Sequence, residues 1–170
     1  MPRTAPSRWT HEHEGELVVF LIGMRLNRPW RPDQWWPVFR AMPAMLAELS
    51  GDPESGMLGY RLAVGAGGPV LVQYWNSAEK LRAYAADPAA QHRPAWTAFN
   101  RRARQVPGAV GIWHETFVVQ RAESVYVAMP ASGLARATRA VPLGRRGGRG
   151  GRAVGRPDAA AVATGAGALS

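Results

Sequence analysis

The chain has 170 residues, a formal net charge of +9 and no cysteine. The missing cysteines exclude disulfides, thiolate metal sites, a cysteine nucleophile and a cysteine-ligated haem. The charge is uneven: residues 131–170 hold seven arginines against Asp158, so they supply +6 of the +9 and leave residues 1–130 nearly balanced.

All seven Trp, four Tyr, four Phe and four His precede residue 131. That division predicts three parts: a polar leader over 1–16, a folded domain over 17–130, and a Gly/Ala/Arg-rich tail over 131–170. The tail has too little apolar area to offset its ordering entropy and is expected to be disordered. Its GRRGGRGGR run resembles RNA-binding segments, but no Phe or Tyr interleaves it, so nucleic acid is not an expected partner. The longest apolar run, Leu17 to Met24, is too short to span a bilayer. It follows the acidic HEHEGE rather than a basic leader, so no signal peptide, no membrane partner and a cytoplasmic location are expected.

In chain order, LVVFLIGMRL over 17–26 reads as a strand buried on both faces. Pro32 suits a first helical turn. Trp35, Phe39, Met42, Leu46 and Leu49 then recur at helical spacing, with a kink or break expected at Pro43. Met57–Val64 and Val70–Trp75 read as a hairpin turning at 65–69. Asn76 with Glu79 forms a capping-box pattern that opens a short helix through Leu81 and Tyr84. Asp87-Pro88 ends that helix and starts another, with His92, Trp96, Phe99 and Ala103 on one face. Val110–Val119 is a further strand, and Val125–Met129 a short closing segment. The order β-α-β-β-α-β is that of a ferredoxin-like split βαβ fold, α+β with an antiparallel sheet. Helices cover one face of such a sheet. Two strands apolar on both faces therefore predict a homodimer that covers the other.

Period-two alternation puts His114 on one sheet face with Ile112 and Thr116, and Glu115 on the opposite one. A functional His114 would be a general base or an axial metal ligand, and a structural one a neutral imidazole bonded to its surroundings. His92 sits one turn before Trp96 and could instead bond a carbonyl freed by Pro94. Trp75 ends a strand where the chain passes into a helix, a rim position for a cavity, although an aromatic there is more often core than site; Tyr74 faces the other way. Tyr84 could offer its hydroxyl to the pocket or cap the core. Glu115 is expected to pair with Arg25, and Trp96 and Trp113 to join Trp75 in walling a substrate. His11-x-His13, among glutamates in the leader, reads as solvated rather than as a metal site, and no resident metal is expected. No G-x-S-x-G, Walker A, H-E-x-x-H or Rossmann pattern occurs, which removes the usual support for hydrolase, nucleotide-binding and zinc-protease readings.

The pattern Y-W-x-S-x-E-x-L-x-x-Y at Tyr74, Trp75, Ser77, Glu79, Leu81 and Tyr84, followed by His92, resembles the dimeric α/β-barrel superfamily that includes antibiotic-biosynthesis monooxygenases. FRAMPAML at 39–46, VQYWNS at 72–77, HRPAW at 92–96, VGIWHET at 110–116 and MP at 129–130 resemble one bacterial branch of it. That branch is often labelled monooxygenase-like or related to phenylacetaldoxime dehydratase, and the resemblance covers roughly residues 17–134. It implies a monooxygenase-like oxidoreductase acting on an aromatic or polyketide-type small molecule. Some relatives oxidise quinol- or anthrone-like compounds with O₂ and no cofactor, and by that resemblance none is expected here. Others bind haem, with His114 or His92 as the ligand such an alternative would use. A third alternative is a dimeric barrel that binds a small molecule without turnover.

Overall fold

A computed structural model describes residues 8–88 and 92–143; the side chains of residues 92–95 fall outside that description. Four strands form the main sheet: β2 (Val18–Leu26), β3 (Met57–Gly65), β4 (Gly68–Trp75) and β5 (Val110–Val118). Their order is β3-β4-β2-β5 and every neighbouring pair is antiparallel, the split βαβ arrangement. Helix α1 (Pro32–Gly51) connects β2 to β3, while α2 (Ala78–Ala86) and α3 (His92–Gln105) connect β4 to β5.

The strand runs are legible because β-branched and apolar residues continue without interruption. Val18, Leu49, Trp75, Ala78 and Leu81 build the core between sheet and helices, with Phe20, Met57 and Tyr84 packed against it. Val18 and Trp75 are direct cross-strand partners, so alternate residues from each place Phe20, Ile22, Gln73 and Leu71 on the same helix-facing side. In β5 the residues that join this face are Val118, Thr116, His114 and Ile112.

Local corrections have physical causes. Helix α1 runs unbroken past Pro37 and Pro43. Pro43 lies on the exposed side, where water can satisfy the carbonyl it leaves without a donor. The cap of α2 is Ser77 rather than Asn76: its hydroxyl accepts the amides of Glu79 and Lys80. Asn76 instead gives its amide to the carbonyl of Gly56. Gly56 has φ +85°, and a β-carbon there would press on Asn76 Oδ1 and the Lys80 side chain. Ser77→Ala is expected to lower stability by about 1 kcal/mol, read as a shifted denaturant midpoint at constant slope.

The larger correction concerns the ends of the domain. Within the expected polar leader, β1 (Arg8–Glu12) pairs with both β6 (Tyr126–Val127) and β7 (Arg139–Pro142) in a second antiparallel sheet, order β6-β1-β7. The expected tail begins as ordered chain, since α4 (Gly133–Ala137) and β7 fall within it. Helix α4 crosses β3 on the face away from α1, with Ala137 against Gly59 and Gly133 beside the Tyr74 hydroxyl. A tail with few apolar residues is held here by strand pairing, by a Thr138 hydroxyl bond to Leu134 O, and by an Arg139–Glu12 ion pair. The expectation of disorder for residues 144–170 lies outside the described residues.

Among the described residues the main sheet stays open and does not close into a barrel. β5 is an edge strand, exposed from Trp113 to Val118. The back face of β2 and β5 thus presents Val19 and Leu21 beside Trp113 and Phe117, the last 49% exposed.

Candidate active site

The register divides the sequence-derived site residues between two faces. On the helix-facing side, His114 stands opposite Ile22, which in turn pairs with Leu71. One step along, Thr116, Phe20 and Gln73 form the next row. The imidazole of His114 is exposed and lies 5.8 Å from the Phe20 ring, tilted by 41°. An open imidazole against an apolar ring, beside a threonine hydroxyl on the same row, can accept a proton from a planar substrate laid along the sheet.

Of the two readings of Trp75, the structure takes core and not rim. It is 0% exposed, covered by α2 folding back over the end of β4. Its indole Nε1 donates to Gln73 Oε1 at 2.9 Å. That bond fixes the amide of Gln73, which is itself buried, and directs its NH₂ group away from the indole. Gln73 shares the Phe20–Thr116 row and is the one polar donor of the site that sequence reasoning missed. Its signal was present: a lone amide on the core-facing phase of an otherwise apolar strand.

Tyr84 packs its ring 6.2 Å from Trp75 and donates its hydroxyl to Glu48 Oε2 at 3.1 Å. Burial, then the Glu48 carboxylate, holds the phenol well above its ordinary range, so Tyr84 is a donor and not a base. It lines a cleft of about 380 Å³ between α1 and α2, together with Glu48, Asp52, Glu54, Lys80 and Asp87. A chain of contacts therefore runs from Tyr84 through Trp75 and Gln73 to the Phe20–His114 row.

The remaining candidates lie elsewhere. Trp113 is on the back face, where its indole covers Gly23 so closely that any β-carbon at that position would collide with it. Tyr74 is buried beneath α4, with Arg61 and the Tyr126 hydroxyl nearby. Glu115 is exposed on the back face and pairs in register with Leu21, whereas Arg25 pairs with Gly111. Four residues separate them, roughly 13 Å along the strand, so the expected Glu115–Arg25 pair does not form. Arg25 lies against Gly67 instead. Trp96 stacks on Phe99 within α3, with centroids 5.3 Å apart, and does not join Trp75 or Trp113 in one wall. Helix α3 begins at His92, whose side chain is outside the described residues.

The leader histidines are partnered and half-buried rather than solvated as expected, His11 by a residue distant in sequence. His11 Nδ1 lies 2.7 Å from Ser124 Oγ, and burial lowers its pKa, while His13 Nε2 lies 2.9 Å from Glu16 O. Among the described residues, no group of three or more His, Asp or Glu is placed to hold a metal ion, and no helix is long and apolar enough to cross a membrane.

The fold defines a ferredoxin-like α+β protein. The chain belongs to the Monooxygenase af470-like family, whose sequence profile matches residues 17–134. It is 30% identical over 131 residues to monooxygenase af470 of Aspergillus fumigatus, an alignment covering 69% of this chain and 46% of that protein. The chain thus spans about half the length of the curated relative it matches. Among solved structures, an aldoxime dehydratase in complex with butyraldoxime is similar with a TM-score of 0.60 at 16% identity, over 79% of this chain and 41% of that one. SnoaB, a cofactor-independent oxygenase from Streptomyces nogalater, is similar with a TM-score of 0.40 at 17% identity, over 64% of this chain and 97% of that one.

Proposed function

We propose that the protein is a cofactor-independent monooxygenase for an aromatic or polyketide-type phenol or enol, with His114 as its general base. The observation that carries this reading is the exposed His114 imidazole set against Phe20 on the helix-facing side of the sheet. Family membership supports the reaction class. His114 takes a proton from the enol O–H or, in the keto tautomer, from the activated CH₂, giving the same anion, which adds O₂ at that carbon and recovers the proton from the imidazolium as a hydroperoxide. Loss of the second C–H proton and cleavage of the O–O bond leave a carbonyl and release water. Four substrate electrons reduce one O₂, one oxygen atom ending in the carbonyl and the other in water, and no external reductant is required. Gln73 supplies hydrogen-bond donors toward the substrate oxygen, while Phe20 and Ile22 provide apolar contact and keep water from the anion. His92 at the head of α3 is the second candidate base.

The cleft beside Tyr84 does not suit haem. It is lined by Glu48, Asp52, Glu54 and Asp87, carboxylates that would repel haem propionates, and His114 lies outside it. No step is assigned to haem, and a stoichiometric Soret band that moves in His114→Ala would reinstate it. The test of the main reading is O₂ uptake with an anthrone- and naphthol-type panel, in metal-chelated buffer, with ¹⁸O₂ incorporation read by mass spectrometry. Label in the product supports the assignment. Binding of panel members without O₂ uptake would leave a small-molecule-binding module.

We further propose that the open back face of β2 and β5 pairs with the same face of a second copy, completing a dimeric barrel. Val19, Leu21, Trp113 and Phe117 would lie at its centre, beside the half already covered by α4. Phe117→Asp places an unpaired carboxylate there and is expected to weaken association at least roughly 100-fold. Light scattering at micromolar concentration should then give dimer mass for the parent and monomer mass for the variant.

A further inference from the structure

Three connections meet at one end of the main sheet. The amides of Asn27 and Arg28 both donate to Ala109 O, Leu26 N donates to Gly67 O, and Asn27 Nδ2 donates to Gly108 O. The β2–α1 loop, the β3–β4 turn and the α3–β5 loop are thereby tied together. The first of them is Asn27-Arg28-Pro29-Trp30-Arg31. Its two prolines, Pro29 and Pro32, stiffen the segment, and the Trp35 indole donates to Pro29 O and holds it in place. Trp30 is left 71% exposed at this end, and Trp36, stacked on Phe39 one turn into α1, is 48% exposed.

The charges around these indoles share one sign. Arg25, Arg28, Arg101 and Arg104 are all exposed there, and Arg25 reaches over Gly67 of the neighbouring turn. Residues 25–47 contain a single acid, Asp33, which is occupied by Arg31 at 2.7 Å, and residues 96–110 contain none. Glu48, Asp52, Glu54 and Asp87 gather instead on the cleft at the far end of α1. The domain is therefore electrically polarised along its helices, and the two most exposed tryptophans among the described residues, Trp30 and Trp36, lie at the cationic pole.

We propose that this pole docks the protein on an anionic lipid surface, with Trp30 and Trp36 seated at the headgroup level and Arg25, Arg28, Arg101 and Arg104 facing the acidic headgroups. Exposed indoles flanked by arginines match the two needs of an interfacial anchor, an amphipathic ring and a counter-charge. The acidic far end orients the approach, since an anionic surface repels it. A docked rather than spanning protein needs no long apolar helix, and this revises the expectation that membranes take no part.

The test is co-sedimentation of the full-length protein with vesicles of phosphatidylcholine containing phosphatidylglycerol, against phosphatidylcholine alone. Brominated acyl chains in parallel report the depth of the indoles. Binding to the anionic vesicles, with bromine quenching reduced in Trp30→Ser and affinity falling about fivefold for each of Arg28→Gln and Arg104→Gln, is the expected result. The arginine-rich segment at 145–156 provides the internal control. Binding that is insensitive to all three substitutions would place the contact in that segment and overturn the proposal. So would an absence of anionic-vesicle binding, or selective binding of single-stranded RNA lost in the same variants.

Discussion

His114→Gln is expected to lower turnover by roughly a hundred- to ten-thousand-fold while the protein stays folded, because the substitution keeps a polar side chain of similar size and removes only the proton acceptor. The position favours a clean outcome. His114 is exposed on an edge strand and its described ring contact is Phe20, so no buried network depends on it. The comparison that gives the experiment force is Thr116→Val on the next row of the same face, which should alter KM more than kcat if that hydroxyl only positions substrate. If His114→Gln retained full activity with unchanged circular dichroism, the base would have to lie elsewhere, with His92 the next residue to replace. A rate loss rescued by added imidazole would identify the missing group as the proton acceptor itself.

Trp75→Ala is expected to cost about 3–5 kcal/mol of stability, enough to lower the melting temperature by roughly 10 °C or more. The indole is wholly covered, and it packs with Val18, Leu49 and Leu81 from a strand and both flanking helices. Its removal opens a cavity at the meeting point of those elements and also strips Gln73 Oε1 of its donor. Gln73→Leu in the same background separates the two contributions, because the double variant regains whatever the orphaned amide had cost. A loss below about 1 kcal/mol would instead mark Trp75 as a ligand-facing side chain with room to spare. Denaturant unfolding at fixed temperature distinguishes these outcomes without reference to activity.

The main sheet and its helices were legible because their signals are local. A continuous apolar run, a glycine-rich turn and a helical spacing each declare an element within ten or twenty residues. The second sheet was not legible, since β1 is five residues long and its partners lie more than a hundred positions away in sequence. An alternating RWTHE segment has no apolar face to announce, and the arginines of the following tail masked a short strand at its start. At the site, alternation alone placed His114 and Glu115 on opposite faces, and the register agrees. What alternation could not supply was the offset between strands, which separates Arg25 from Glu115. Nor could it decide between rim and core for Trp75, because that depends on α2 folding back over the end of β4. The capping error at Asn76 was one residue, within the ambiguity of two adjacent polar residues that both suit a helix start.

The pairing of β1 with β7 brings the start and finish of the described chain together: Leu143 N donates to Arg8 O at 2.7 Å. A domain whose entry and exit share one spot can be carried within a loop of a larger polypeptide without either of its sheets being opened. The same adjacency sets a practical limit on shortening the chain. A truncation at residue 134, where the family match stops, would remove β7 and bare one side of β1, leaving a new unpaired edge available to other chains.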